Sequence, residues 1–144
     1  MLTEEELEDF SAAAKKCIEF WEAVGNQIPE WIYVREGRMT AGEVRQDFIH
    51  SHAIVLQALG RVGRFVYQTS SGKPDLKLAL RKIREIDWSR ANVTTWEGRA
   101  MIGGRMAKNS QNITLTCNEI KRSIGLPLTP EEQAIERAFT AARQ

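Results

Sequence analysis

The stretch "TEEELEDFSAAAKKCIEFWEAVGN", residues 3–26, decides the fold class. Thr3 and Glu6 have the spacing of a capping box, in which each side chain satisfies a backbone N–H that a helix start leaves orphaned. Acids crowd the first turns, where the helix dipole favours them. Leu7, Phe10, Ala14, Cys17, Trp21 and Val24 recur at steps of three and four and draw one apolar stripe, until Gly25 and Asn26 stop it. A helix so marked needs another helix to cover its stripe.

The same signals repeat outward along the chain. "IPEWIYVREGR" is a connection, after which Thr40 and Glu43 make a second capping box. The spacing predicts one long helix from there to about Tyr67, with Val44, Phe48, Val55, Leu59, Val62 and Val66 as its buried seam. Gly60 and Gly63 lie inside it, each costing about 1 kcal/mol of helix propensity against Ala, which points to a close helix contact near them. "TSSGKP" breaks the chain. Leu76, Leu80 and Ile83 then mark a short third helix with Lys77, Arg81, Lys82 and Arg84 outward.

"DWSRANVTTWEGRAMIGG" has no sustained period and is expected to be an irregular crossing anchored by Trp88 and Trp96. A fourth helix starts at about Asn112 with Ile113, Cys117, Ile120 and Ile124 inward, and ends at Gly125. In the last, Thr129 caps, Pro130 takes the first helical position and Glu132 closes a third capping box. The expectation is an all-α protein, a single helical bundle of about five helices over residues 1–144, with no convincing strand.

Composition narrows the function. Hydrophobic residues at 42% and charged residues at 27% indicate a globular chain, and no apolar run approaches the roughly 20 residues of a membrane span. The acidic start "MLTEEELEDF" is unlike a signal peptide, so a cytoplasmic location is expected. Cys17 and Cys117 sit in apolar helical patterns and are expected to be buried free thiols. The net charge of +1 hides an asymmetry: residues 1–30 hold eight acids against two lysines, whereas residues 61–122 hold thirteen bases against five acids.

No catalytic constellation emerges. "GRAMIGGRMAKNS" spaces Gly98 and Gly103 as a P-loop does, but Gly104 and Arg105 follow where the motif requires a lysine and a hydroxyl. Glu43, Asp47 and His50 would share one face of the long helix, without the second ligand set that a di-iron bundle needs. The two histidines, His50 and His52, meet no glycine-flanked serine elbow. We therefore expect no enzyme, no metal and no cofactor. The basic, amide-rich segment remains: Arg99, Arg105, Lys108, Asn109, Asn112, Lys121 and Arg122 precede or line a helix whose N-terminus offers N–H groups to phosphate, and arginine and asparagine also read base edges. Arg61, Arg64, Arg81 and Lys82 would widen this patch if their helices pack nearby. Against it stands the reading in which an asparagine merely caps the helix and the arginines are solvated or paired with Glu97 and Glu119.

"EVRQDFIHSHAIVLQALGRVGR" (43–64) and the stretch from "IDWSRANVTTWEG" to "IGLPLTPEEQAIERAF" (86–139) resemble the C-terminal region of the DndB family, the DGQHR-domain proteins associated with DNA phosphorothioate modification. The likeness spans about residues 40–140 and rests on His52 through Gly63, the Trp88 and Trp96 pair, the Asn-Lys-rich turn and "IGLPLTPEE". The family's defining DGQHR motif lies in an upstream ParB-like portion and is absent here, so the resemblance implies a C-terminal fragment of a larger protein or a reduced relative. It further implies a non-catalytic helical domain that contributes to DNA binding and transcriptional regulation in a DNA sulfur modification system, with double-stranded DNA and other Dnd proteins as partners. The competing expectation is an interaction module without direct DNA contact, whose first helix pairs with another subunit, as a homodimer formed through Leu7, Phe10, Cys17, Trp21 and Val24, or with other Dnd proteins.

Overall fold

The first and last helices begin where the sequence places their caps. The computed structural model describes residues 1–143. Helix α1 spans Glu4–Gly25, with both halves of its capping box formed: the Glu6 N–H donates to Thr3 Oγ1 at 3.1 Å and the Thr3 N–H donates to Glu6 Oε2 at 2.8 Å. Short helices α2 (Pro29–Arg35) and α3 (Ala41–Asp47) follow, then α4 (Ala53–Thr69). Helix α5 (Leu76–Leu80) tightens into a 3-10 turn over Arg81–Glu85, and α6 is a single turn, Val93–Trp96. Two residue pairs, β1 (Met101–Ile102) and β2 (Arg105–Met106), form a small antiparallel hairpin before α7 (Ser110–Ile124) and α8 (Pro130–Ala142). Thr129 and Glu132 complete the capping box of α8.

The all-α expectation holds, with more and shorter helices than periodicity predicted. Helices α4 and α7 form the centre, side by side, with Arg61 of α4 against Thr114 of α7 and Phe65 against Lys121. Val55, Ala58, Leu59, Val62 and Val66 from α4 meet Cys117, Ile120 and Ile124 from α7 in a continuous core, joined by Leu80, Ile83, Trp88 and Trp96 from the crossing segments. Trp88 and Trp96 anchor that segment as expected, stacked with ring centroids 5.4 Å apart.

The expected connection at residues 28–38 carries a helix, α2, and three further expectations need correction. The long helix of residues 40–67 is broken: Phe48 is extended at φ −128° and ψ 161°, and a new helix starts after His52, whose side chain makes no capping bond. The break has a distant cause. Ile49 N–H donates to Trp88 O at 2.9 Å and Arg90 N–H to Asp47 O at 2.9 Å, so backbone groups that a helix would pair within four residues pair instead with the Trp88–Arg90 segment. His50 is thereby separated from Glu43 and Asp47 and buried, with Trp31 Nε1 donating to its Nδ1 at 3.3 Å and its Nε2 2.8 Å from Glu30 Oε1. Burial lowers the His50 pKa against the raising influence of Glu30.

The second correction concerns Cys17, which is exposed, while Cys117 is buried as expected and its thiol is pushed up to about 11 by burial. Helix α1 runs beyond the body, and only Phe20 and Val24 of its residues are buried. The third concerns the Thr40 box, which is half formed, because Glu43 accepts from the Thr40 hydroxyl at 3.1 Å instead of from its backbone N–H.

The two helical glycines part company. Gly63 is in the predicted close contact, since a Cβ there would lie 2.8 Å from the Phe20 ring. Among the described residues nothing lies within 4 Å of a Cβ built on Gly60.

Candidate nucleic-acid interface

Helix α7 starts where Asn109 turns the chain. Its Oδ1 accepts from the Asn112 N–H at 2.9 Å, the bond that makes asparagine a favoured N-cap. The Asn112 side chain then reaches backward, donating to Gly98 O at 3.0 Å and Arg99 O at 2.7 Å, and so ties the hairpin segment to α7. With its amide spent on two carbonyls and the residue buried, Asn112 cannot read a base edge in this fold.

Arg99 is also removed from the expected surface. It is buried, donates to Leu115 O at 2.9 Å and grips Glu136 through two bonds of 2.8 and 2.6 Å, with its guanidinium 4.6 Å over the Phe139 ring. Those hydrogen bonds hold the Glu136 carboxyl below the usual glutamate range, against the opposing effect of burial. Arg122 shares the same carboxylate at 2.9 Å while staying exposed.

Lys121, at 2% relative exposure, is buried beneath α8, with Nζ 2.8 Å from Glu132 Oε1 and 3.9 Å from the centre of the Phe65 ring. Burial pushes the Glu132 carboxyl up, but the hydrogen bonds from Lys121 and Thr129 outweigh it and its pKa falls. Arg99 and Lys121 are thus bolts between α7 and α8. Paired buried charges of this kind are costly to break and leave no charge to offer a ligand.

The near miss for a P-loop is resolved by the hairpin. Gly103 and Gly104 adopt φ of 60° and 77° in the two-residue turn, a conformation that twisted hairpins demand and glycine supplies without strain. Their backbone N–H groups, the ones a phosphate would use, donate to the two carboxylate oxygens of Glu97. The anion in this cradle belongs to the chain itself.

Arg105, Lys108 and Asn109 stay exposed at the hairpin and the start of α7. Among the described residues, no carboxylate lies within 4.0 Å of the charged ends of Arg105 or Lys108. The bases of residues 61–122 do not merge into one face. Arg61 donates to Thr114 Oγ1 at 2.8 Å, whereas Lys82 lines a depression with Glu119 and Ser123, which lie on the other side of α7.

The cations predicted outward on the third helix stay exposed. Lys77, Arg81, Lys82 and Arg84 line an open groove of about 640 Å³ with Gln27, Leu78, Asp75 and Glu85. Arg84 is fixed by its Nε, which donates to Gln27 Oε1 at 2.9 Å. Asp75 accepts from Leu78 N–H at 3.1 Å and caps α5. Lys77, Arg81 and Lys82 project from this frame into solvent.

Leu7, Phe10 and Cys17, expected at an interface, are exposed; Trp21 is partly buried against Trp31, and Val24 is fully buried in the chain's own core. Among the described residues there is no group of three or more His, Cys, Asp or Glu placed to hold a metal, and no helix long and apolar enough to cross a membrane.

A family model described as "DndB: DNA-sulfur modification-associated" matches residues 1–127. The match takes in α1, which the resemblance over residues 40–140 left out, and stops before α8. No curated protein and no solved structure matches the chain.

Proposed function

Because the chain belongs to the DndB family, whose members are associated with DNA-sulfur modification, we propose that it is a non-catalytic, cytoplasmic helical module that holds double-stranded DNA for the other Dnd proteins or for control of their expression. The observation that supports this reading is the exposed group of Lys77, Arg81, Lys82 and Arg84 along one groove. A compact row of cations on a rigid turn neutralises successive phosphates, and such contacts position a protein on the duplex without reading sequence. Arg105, Lys108 and Asn109 form a second, smaller contact at the start of α7, whereas Arg122 lies in the last turn of that helix and is shared with Glu136.

The test is a salt titration of binding to duplex DNA. Affinity should fall steeply between low and moderate salt, and Arg81→Glu with Lys82→Glu should weaken binding and reduce the salt slope by about one for each phosphate no longer neutralised. Binding that is absent, or indifferent to salt and to both substitutions, overturns the proposal.

A second reading, self-association through α1, is favoured by a specific observation: Leu7, Phe10 and Ile18 are 51%, 69% and 60% exposed on a helix whose first four turns touch little of the body. Dimers are a common form for DNA-binding regulators, so the two readings are compatible.

A further inference from the structure

Beside the rooted half of α1 lies an apolar groove lined by Ala13, Cys17, Phe20, Trp21 and Gly60, with Lys16 and Arg64 among the residues around it. Gly60 is the unexplained member. It sits in the interior of α4, where glycine costs about 1 kcal/mol against alanine, and the contact that would justify this is missing within the described chain. Its neighbour Gly63 shows what such a contact looks like, because the Phe20 ring fills the space that a side chain would need. At Gly60 the equivalent space is open to solvent.

The other half of α1 has the complementary character. Glu4, Glu5, Glu6, Glu8 and Asp9 surround the exposed Leu7 and Phe10. This arm cannot enter its own groove, since it is the straight continuation of the helix that walls the groove, about 33 Å long at 1.5 Å per residue. A second copy can deliver it.

We propose that the groove over Gly60 receives the acidic N-terminal arm of α1 from a second copy of this chain. Leu7 and Phe10 of the incoming arm cover Gly60 and the exposed edges of Cys17 and Trp21, and its carboxylates approach Lys16 and Arg64. The contact closes on itself. If the two α1 helices run antiparallel about a point near Ala12, each copy's arm passes the other's groove, so one two-fold axis satisfies both contacts and growth stops at two chains. This rests on the self-association reading and deepens it by naming what the arm binds.

The experiment follows mass against concentration by light scattering, with thermal unfolding as the check on folding. The wild type should be a dimer that weakens in salt. Gly60→Ala should retain or raise the melting temperature, whereas Gly60→Trp, which fills the groove at an exposed position, should be monomeric with its fold intact. Phe10→Glu should also be monomeric. An equimolar mixture of Gly60→Trp and Phe10→Glu restores one arm-in-groove contact and should recover dimer mass, which neither shows alone. Arg64→Glu provides a variant with no added bulk and should raise the dimer Kd about tenfold by placing like charge against the arm. A dimer that survives Gly60→Trp and Arg64→Glu but not Phe10→Glu overturns the groove while leaving α1 pairing in place. A wild type that is monomeric throughout overturns both.

Discussion

Helices α1 and α7 carry comparable amphipathic patterns and meet opposite ends. Over 22 residues α1 buries only Phe20 and Val24. Over 15 residues α7 buries eight, among them polar or charged Asn112, Thr116, Asn118 and Lys121. A periodic apolar stripe states that a face needs covering, but it does not state by what, and it is silent on whether the polar side chains beside it will stay in water. In α7 the covering is supplied by α4 on one side and α8 on another, so Lys121 was drawn inward onto Glu132 while Arg122 stays exposed. In α1 burial is confined to Phe20 and Val24, and Leu7 and Phe10 of the stripe stay exposed.

The largest effect that sharpens this contrast is expected at Arg99. Replacing it with methionine strands Glu136 between helices, which should cost about 3 kcal/mol, the lower end for breaking a buried pair because Arg122 and Asn118 still reach the carboxylate. Urea unfolding measures it. Phe10→Glu on the arm should leave the stability of the monomer within about 0.5 kcal/mol, as surface substitutions do. Equal destabilisation in the two variants would erase the distinction between the helices.

Next comes Gly63→Ala, where the added methyl meets the buried Phe20 ring, and overpacking of about 1–3 kcal/mol cancels or exceeds the roughly 1 kcal/mol of helix propensity that alanine recovers, so Tm should not rise. It would break the claim that the rooted half of α1 is tightly held if the substitution proved stabilising.

Smallest, acid should loosen α7 from α8 ahead of the remaining core. Glu132 and Glu136 have folded pKa values below the ordinary 4.5, so their contribution is fully present above that value and is lost as pH falls through the depressed ones. The stability gap between wild type and Glu132→Gln, open at pH 7, should therefore narrow below pH 4.5. A gap that stays constant from pH 7 to acid removes the ion pair as its cause.

Local features of the fold were legible because their partners lie within four residues. Thr3 with Glu6 and Thr129 with Glu132 formed their boxes, Gly125 ended α7 with a φ of 84°, and the outward row at Lys77, Arg81, Lys82 and Arg84 stayed outward. The helix break after Asp47 was not legible, because the groups that cause it, Trp88 O and the Arg90 N–H, lie some forty residues on. The candidate site suffered more. Arg99 finds Glu136 across 37 residues and Asn112 finds two carbonyls behind it, and no spacing in the chain announces either contact. For Lys121 the chain did carry one signal: it lies four residues after Cys117 and three before Ile124, spacings that place it beside the inward stripe of α7.

By itself, then, the sequence determined the first and last helices with their capping boxes, the end of α7 at Gly125, the all-α class and the reserve of positive charge, since these depend on short-range hydrogen bonding and on the period of apolar residues. Only the tertiary structure decided which of those charges still face water. A charge keeps its attraction for a distant anion only while no carboxylate stands within bonding distance, and that depends on which helices the folded chain lays side by side.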